Sequence, residues 1–204
     1  MKLRKQVEAK LPTFWGNYHI IAYADNKENL MPHIVLIHED ADLTQQIHVR
    51  IHSECMTGDV FGSKRCDCGE QLEKALQIIG HQKGILIYLR QEGRGIGIIN
   101  KLRAYNLQDL GADTIQANIQ LGFSADERLY DDAIAILQDL HVNRIYLLTN
   151  NPDKINSLEL NGIKVVERIP LIVSPLPENE AYFMTKANNM GHLFNELFSN
   201  HHQF

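Results

Sequence analysis

All three cysteines of this 204-residue chain lie in one short stretch, at positions 55, 66 and 68. Thiolate sulfur is a soft ligand that suits zinc, and a catalytic zinc ion takes three protein ligands and keeps its fourth position for water. Cys55, Cys66 and Cys68 therefore predict one open zinc site per chain, whose metal would lower the pKa of water to about 7. The charged neighbours Lys64 and Arg65 argue against the alternative that these cysteines are buried core residues.

A closed structural zinc site is the main alternative to an open one. His52 stands shortly before Cys55, and its imidazole could supply a fourth ligand. The spacing of the residues does not decide between the two kinds of site.

Composition sets limits on the partners of this chain. With 44% hydrophobic and 22% charged residues it fits a globular protein with a core. Its net charge of −5 argues against a nucleic-acid partner, so that a bound polyphosphate would need a local cationic pocket. No stretch approaches the roughly 20 apolar residues of a membrane span, and no apolar region follows the basic first residues. Clustered cysteines without a secretory signal predict a metal site in the cytoplasm rather than disulfides.

The elements that must position these residues change in type along the chain. The first quarter is rich in β-branched and aromatic residues and predicts strands. From Gly69 onwards helical and extended patterns alternate, which predicts a layered α/β/α domain with a mixed sheet and a β-rich N-terminal quarter, over residues 1–174. Residues 175–204 are predicted to form a helical tail, with a helix over Ala181–Phe198. The predicted strands are 13–24, His33–Ile37, Ile47–His52, Gly84–Arg90, Arg144–Thr149 and Lys164–Val173, and the predicted helices are Glu70–Gly80, Ile98–Leu110, Glu127–His141 and Pro152–Leu160.

Several loops that follow predicted strands carry charge. Gln91–Gly97 is a glycine-rich turn before a helix, and helix N-termini favour anions. Arg94 in that turn, with Thr149 and Lys154 in a later loop, could hold phosphate. Ser124 begins a Ser-x-x-Glu pattern that is typical of a capping box. If these loops converge at one end of the sheet, zinc beside a cationic pocket predicts hydrolysis of a phosphorylated substrate.

The sequence resembles the GTP cyclohydrolase II family, whose members begin riboflavin biosynthesis, over nearly its whole length. The matching segments include Val49–Cys55, Thr57–Asp59, Arg65–Gly69, Arg90–Arg94, Asn100–Tyr105, Leu121–Phe123, Asp126–Arg128, Thr149–Pro152 and Val166–Pro170. The resemblance implies conversion of GTP to 2,5-diamino-6-(5-phosphoribosylamino)pyrimidin-4(3H)-one, formate and pyrophosphate. It also implies Mg²⁺ with the GTP, and a homodimer.

The resemblance further implies roles for individual residues. Cys55, Cys66 and Cys68 would hold zinc, Asp126 would accept a proton, and Tyr105 would assist at the purine. The residues implied to bind GTP are Arg50, Ile51, His52, Ser53, Glu54, Gln71, Glu92, Gly93, Arg94, Thr114, Thr149 and Lys154. Glu92 is one candidate acceptor for the N–H donors of guanine.

The role of Arg128 and the reaction of the chain both stay open at this point, with the conversion of GTP described above as the first interpretation. The resemblance implies that Arg128 is the nucleophile at phosphorus, but a guanidinium is always protonated and could instead stabilise phosphoryl charge. A related hydrolase that stops at the formylated intermediate is a second interpretation of the chain. A non-catalytic nucleotide-binding module with a closed zinc site is a third.

Overall fold

The computed structural model of this chain describes residues 3–173, together with 191 and 193. Its strands are β1 (Arg4–Thr13), β2 (Gly16–Ala24), β3 (His33–His38), β4 (Ile47–Ser53), β5 (Ile85–Leu89), β6 (Arg144–Leu148) and β7 (Lys164–Ile169). Its helices are α1 (Met56–Asp59), α2 (Cys68–His81), α3 (Gly97–Asp109), α4 (Thr114–Gln120), α5 (Asp131–Asp139) and α6 (Pro152–Leu160), and a 3-10 turn spans Glu92–Gly95. None of the described helices is both long and apolar enough to cross a bilayer.

The chain divides into two compact units that interleave along the sequence. The first, which we call the sheet unit, is built mainly from 3–52, Leu72–Arg90 and Tyr130–Leu171. The second, which we call the helical unit, is built mainly from Ser53–Gln71 and Gln91–Leu129. The predicted helix over Ala181–Phe198 and the predicted tail of residues 175–204 lie outside the described residues, apart from 191 and 193.

The sheet unit contains a mixed sheet of seven strands in the order β1-β2-β3-β5-β4-β6-β7. The strands β1, β2, β3 and β5 pair antiparallel, whereas β4, β6 and β7 pair parallel. Because β4 and β6 run in the same direction, their carboxyl ends lie at the same edge of the sheet. The strand-rich N-terminal quarter and the mixed sheet are confirmed.

Alternation along β5 shows how the sheet is covered on both faces. Ile85, Ile87 and Leu89 join the larger apolar cluster, which includes residues of α5 and α6. Leu86 and Tyr88 point the other way, into a cluster with Ala75, Leu76 and Ile79 of α2. Successive side chains of a strand face opposite sides, so both faces are buried. The predicted α/β/α layering is therefore confirmed.

The first hairpin was only partly predicted. The predicted region 13–24 contains the hairpin turn and β2, and its partner β1 was missed because most residues of β1 are exposed and many are charged. Thr13 Oγ1 donates to the carbonyl of Gly16 at 2.8 Å and accepts from the N–H of Trp15 at 3.1 Å. Gly16 takes a φ of +133°, which favours glycine.

The predicted helix over Glu127–His141 was wrong at its start, because α5 begins at Asp131. Glu127 Oε1 does accept from the N–H of Ser124 at 2.8 Å, as in a capping box, but no helix follows there. The carboxylate of Asp126 instead accepts from the N–H of Arg128 at 3.0 Å. Such local side-chain bonds compete with helix formation and hold the backbone in another conformation.

The helix α4 was not predicted, although its start follows a recognised rule. Asp113 accepts hydrogen bonds from the N–H groups of Ile115 and Gln116, each at 2.8 Å. In turn, Oε1 of Gln116 accepts a hydrogen bond from the N–H of Asp113 at 3.3 Å, which completes a capping box. The helix is short, so that its apolar periodicity is weak in the sequence.

Candidate metal and nucleotide site

The three cysteines come together in the helical unit. Their sulfur atoms all lie within 4.8 Å of one another, and the Sγ atoms of Cys55 and Cys66 are 3.6 Å apart. A tetrahedral zinc ion with Zn–S bonds of about 2.3 Å separates its sulfur ligands by about 3.8 Å. The cluster therefore fits a metal ion of this kind.

Local structure explains how the three cysteines meet. Cys55 stands directly before α1, and Cys68 is the first residue of α2. Gly58 of α1 lies against all three: an added Cβ atom would be 3.1 Å from the Sγ of Cys66 and 3.2 Å from the Sγ of Cys55. The sulfur atoms can therefore pack closely against Gly58 because this residue has no side chain.

The thiols of the cluster share hydrogen bonds, and these bonds shift the pKa values of the three cysteines in different directions. Hydrogen bonds with Cys66 and Cys68 hold the pKa of Cys55 far below its ordinary value. The hydrogen bond to Cys55 raises the pKa of Cys66 to about 11, and it also raises the pKa of Cys68. Thiols bind a metal as thiolates, so metal binding at this cluster would release protons.

His52 is not part of this metal group. Among the described residues the group consists of Cys55, Cys66 and Cys68. The ring of His52 stacks on Tyr88 in the sheet unit, with centroids 5.4 Å apart, and its Nδ1 lies 3.4 Å from the guanidinium of Arg50. The geometry therefore favours three protein ligands over the closed site with a fourth.

Lys101 is a functional candidate that sequence reasoning missed. It lies on α3, and its Nζ donates to the Sγ of Cys55 at 3.1 Å and to Glu92 Oε1 at 2.8 Å. Burial would lower the pKa of Lys101, but the charge of Cys55 and the bond to Glu92 raise it above the ordinary value. Its spacing from Tyr105 was the available signal, because residues four apart lie on one face of a helix.

Glu92 is already engaged by several donors. Its Oε2 accepts from the N–H of Met56 at 2.5 Å, and its Oε1 accepts from the N–H of Gly93 at 2.7 Å as well as from Lys101. The carboxylate is only 8% exposed. These bonds argue against Glu92 as the acceptor that selects guanine.

A cavity of the helical unit opens beside the cysteines. The space between its walls is about 660 Å³ when the solvent at its open mouth is included. Of the residues that the sequence analysis selected, the lining contains Ser53, Glu54, Cys55, Cys66, Cys68, Glu92, Gly93, Arg94, Tyr105, Thr114 and Arg128. Gln71 and Asp126 do not line it.

Tyr105 is held in this cavity by two neighbours. Its hydroxyl lies 3.1 Å from Thr57 Oγ1, and the guanidinium of Arg65 lies 4.7 Å from the centre of its ring. Burial raises the pKa of the Tyr105 hydroxyl, so that the group stays protonated at neutral pH.

Arg128 and Asp126 form a forked ion pair. The Nε of Arg128 donates to both carboxylate oxygens of Asp126, at 2.8 and 3.1 Å, and its Nη2 donates to Oδ2. Burial would raise the pKa of Asp126, but the hydrogen bonds and charge of Arg128 hold it below its ordinary value. A carboxylate of this kind is a weak base, and its geometry suits the positioning of Arg128.

The turn that carries Arg94 is conformationally unusual. Gly93 and Arg94 both take a left-handed conformation, with φ of 62° and 61°. This conformation is uncommon for a residue with a side chain and costs about 1–3 kcal/mol where it persists. The carbonyl of Arg94 accepts from the N–H of Glu127 at 3.0 Å, which ties the turn to the segment of Asp126 and Arg128.

Comparison with known proteins identifies the family. The family model described as GTP cyclohydrolase II matches residues 4–170 of this chain. The chain belongs to the GTP cyclohydrolase II family. A GTP cyclohydrolase-2 from Picrophilus torridus is 50% identical over 92% of this chain and 97% of that protein. One from Blochmanniella floridana is 51% identical over 97% of this chain and 100% of that protein.

Some relatives of the family are longer. The riboflavin biosynthesis protein RibBA from Bacillus cereus (strain G9842) is 52% identical over 94% of this chain. The matched region is 48% of that protein.

Five residues that the family resemblance implies for GTP lie in the sheet unit, near the carboxyl ends of β4 and β6. Arg50 donates to the carbonyl of Leu148 at 3.1 Å. Lys154 donates to the carbonyl of Ile51 at 2.7 Å, and Thr149 Oγ1 accepts from the N–H of Asn151 at 3.1 Å. All five, Arg50, Ile51, His52, Thr149 and Lys154, are buried.

Proposed function

We propose that this chain converts GTP to 2,5-diamino-6-(5-phosphoribosylamino)pyrimidin-4(3H)-one, formate and pyrophosphate, the first step of riboflavin biosynthesis. The observation that carries the proposal is that three cysteine sulfurs and Arg128 line one cavity. Ring hydrolysis needs a metal-activated water, and loss of pyrophosphate needs cationic groups. The cavity offers three cysteines that could hold such a metal and the cationic side chains Arg94 and Arg128, and the relatives named GTP cyclohydrolase-2 support the assignment.

Cys55, Cys66 and Cys68 would hold one Zn²⁺ per chain. With three protein ligands, zinc supplies an activated water for hydrolysis at C8 of guanine and for removal of formate. Mg²⁺ would accompany the triphosphate and offset its charge.

The side chains around the cavity have separate tasks in this proposal. Arg128 and Arg94 would neutralise charge on the phosphates. Asp126 would fix the guanidinium of Arg128 through the forked ion pair, and the paired, protonated guanidinium suits charge stabilisation better than nucleophilic attack. Tyr105 would donate its hydroxyl proton at the purine. Ser53, Glu54, Gln71, Gly93 and Thr114, with the five residues of the sheet unit, stay predicted GTP contacts.

The test is product analysis after incubation with GTP and Mg²⁺. The proposal expects formate, pyrophosphate and the diaminopyrimidinone in equal amounts, and no comparable turnover of ATP. Pyrophosphate without formate would favour the hydrolase that stops at the formylated intermediate. No product in the presence of one zinc ion per chain would favour the non-catalytic module.

A Cys66→Ser variant sharpens this test. It should lose the metal and formate release while slowly forming GMP and pyrophosphate, because the phosphate chemistry does not use the cysteines. Arg128→Ala should instead lose pyrophosphate release by on the order of 10³-fold, the scale for an arginine that stabilises transferring phosphoryl charge. A folded, zinc-free Cys66→Ser protein that makes no GMP would contradict the separation of the two chemistries.

The resemblance also implies a homodimer, and the clustered cysteines predict a cytoplasmic location. Both stay predictions, and sedimentation velocity of the purified protein checks the first.

A further inference from the structure

Lys101 is a buried cation in direct contact with a predicted metal ligand. Its side chain is 11% exposed, and its Nζ lies 3.1 Å from the Sγ of Cys55. The roles implied by the family resemblance do not include this residue. A lysine is rarely buried unless it is paired, so the burial of Lys101 indicates that its partners have a specific role.

Glu92 holds Lys101 in place on the opposite side. Its carboxylate accepts from Lys101 at 2.8 Å and from the N–H of Met56, the residue after Cys55, at 2.5 Å. A third bond comes from the N–H of Gly93 at 2.7 Å. The ammonium group is thus fixed between one carboxylate and one sulfur, and both partners are tied to the loop that carries Cys55.

We propose that Lys101 is a positioning residue of the metal centre, which orients the sulfur of Cys55 and withdraws charge from it by a hydrogen bond. This inference rests on the proposed metal site. Three thiolates around a divalent ion leave a net negative charge, which weakens the ion as a Lewis acid. A cation that donates to one sulfur offsets this charge, and partners of metal ligands commonly change metal affinity or activity by about 10- to 100-fold.

An ordinary buried ion pair between Lys101 and Glu92 is the competing explanation. If Lys101 only pairs with Glu92, replacing the lysine would leave the energy of the electrons on the Cys55 sulfur unchanged. The two explanations therefore differ in a property of the metal–sulfur bond that can be observed without any substrate.

Cobalt provides that observation, because Co²⁺ accepts thiolate ligands and its sulfur-to-metal charge-transfer bands are visible by absorption. A hydrogen bond stabilises the sulfur electrons and raises the energy of these bands. In full-length protein loaded with Co²⁺, Lys101→Met should therefore shift the bands to longer wavelength. Lys101→Arg keeps a charged donor and should remain close to the wild type in band position. Arg103→Met removes a positive charge from the exposed face of the same helix and should leave the bands unchanged.

Loss of Lys101 alone leaves the Glu92 charge buried without its partner, which can unfold the site. The double variant Lys101→Met/Glu92→Gln removes both charges and should show the same shift. With Zn²⁺ and GTP, Lys101→Met should lower kcat for formate release by about 10- to 100-fold.

If the charge-transfer bands of Lys101→Met and of Lys101→Met/Glu92→Gln both stay at the wild-type wavelengths, the proposed role of Lys101 is overturned, even if the wild type releases formate. A wild-type protein that binds neither Co²⁺ nor Zn²⁺ would overturn the metal site itself, and the inference with it. The two failures are distinguishable because the first appears only in the variants.

Discussion

At the scale of single residues, Gly58 decides whether the three sulfur atoms can approach one another. A Cβ atom there would lie 3.1–3.2 Å from two of the sulfurs and 3.1 Å from the Cβ of Cys68. We expect Gly58→Ala to push the ligands apart by a few tenths of an ångström, which is enough to weaken a tetrahedral site at least 10-fold. Competition for Zn²⁺ with a chromophoric chelator measures this change.

The control for Gly58→Ala is Gly62→Asn, in the loop that follows α1. Nothing lies within 4 Å of a Cβ atom at Gly62, and asparagine tolerates its φ of +62°. This variant should bind Zn²⁺ as the wild type does. Equal zinc affinity in Gly58→Ala and the wild type would show that the packing around Gly58 does not limit the site.

The Asp126–Arg128 pair predicts a pH dependence of stability. The folded pKa of Asp126 is lowered, so its contribution is fully present above the unfolded pKa of about 3.9 and is lost as the pH falls through the folded value. Asp126→Asn should therefore cost about 1.5–3 kcal/mol of unfolding free energy between pH 5 and 8, the range for hydrogen bonds to charged groups. The difference from the wild type should shrink below about pH 4.

Urea denaturation at several pH values measures this difference. Glu159→Gln, an exposed acid on α6, is the control and should cost little at any pH. A cost of Asp126→Asn that grows on acidification would contradict the lowered pKa.

Residues with a special chemistry could be predicted from the sequence, whereas those that support them could not. The three cysteines are few and close in sequence, and the structure brings them together as a group that could hold a metal. Lys101 looks like any polar residue of a surface helix, since its burial depends on where α3 packs. Glu92 was selected as a ligand for guanine, but only the folded structure places its carboxylate against Lys101 and Met56.

At the scale of elements, the start of α4 matters because this helix carries Thr114 and Asn118 of the cavity lining. Asp113→Ala removes the acceptor of two backbone N–H groups, and we expect a loss of about 1 kcal/mol in unfolding free energy. Asp113→Asn retains a capping oxygen and should cost a few tenths at most. Chemical denaturation of both variants tests the cap, and equal losses would argue that its charge rather than its hydrogen bonds is important.

Element types were predictable where the pattern was long, and boundaries failed where side chains bond to the local backbone. Pro152–Leu160 was predicted with its observed bounds, because a proline starts that helix and a glycine follows it. The predicted start of α5 was wrong because the Asp126 side chain binds the backbone of Arg128. Helix propensity and apolar periodicity contain no information about this hydrogen bond.

At the scale of the whole molecule, the layered fold was predictable but its division was not. Alternating helices and strands indicate an α/β sheet regardless of how the chain is partitioned. The helical unit consists of segments that alternate along the chain with segments of the sheet unit. Such a division depends on contacts between distant residues, which composition along the chain does not reveal.

This division predicts how the protein responds to removal of the proposed metal. The three predicted ligands lie in the helical unit, and a metal bound there would add its binding energy to the folding of the segments that it joins. The sheet unit has its own apolar core, which includes β5 and β6 and no cysteine. Hydrogen exchange measured by mass spectrometry should therefore increase in Ser53–Gln71 and Gln91–Leu129 when a chelator removes the metal, and stay slow in β5 and β6.

The matched control is the Cys66→Ser variant, which should show the faster exchange before any chelator is added and no further change afterwards. Chelation should not accelerate exchange in β5 of either protein, because its slow amides report the sheet core. Faster exchange throughout both units on chelation would mean that the metal supports one cooperative structure. No change in any segment of a wild-type protein that has lost its metal would mean that the cysteine loop is already held by its own contacts, with the bonds from Lys101 and Glu92 as the principal candidates.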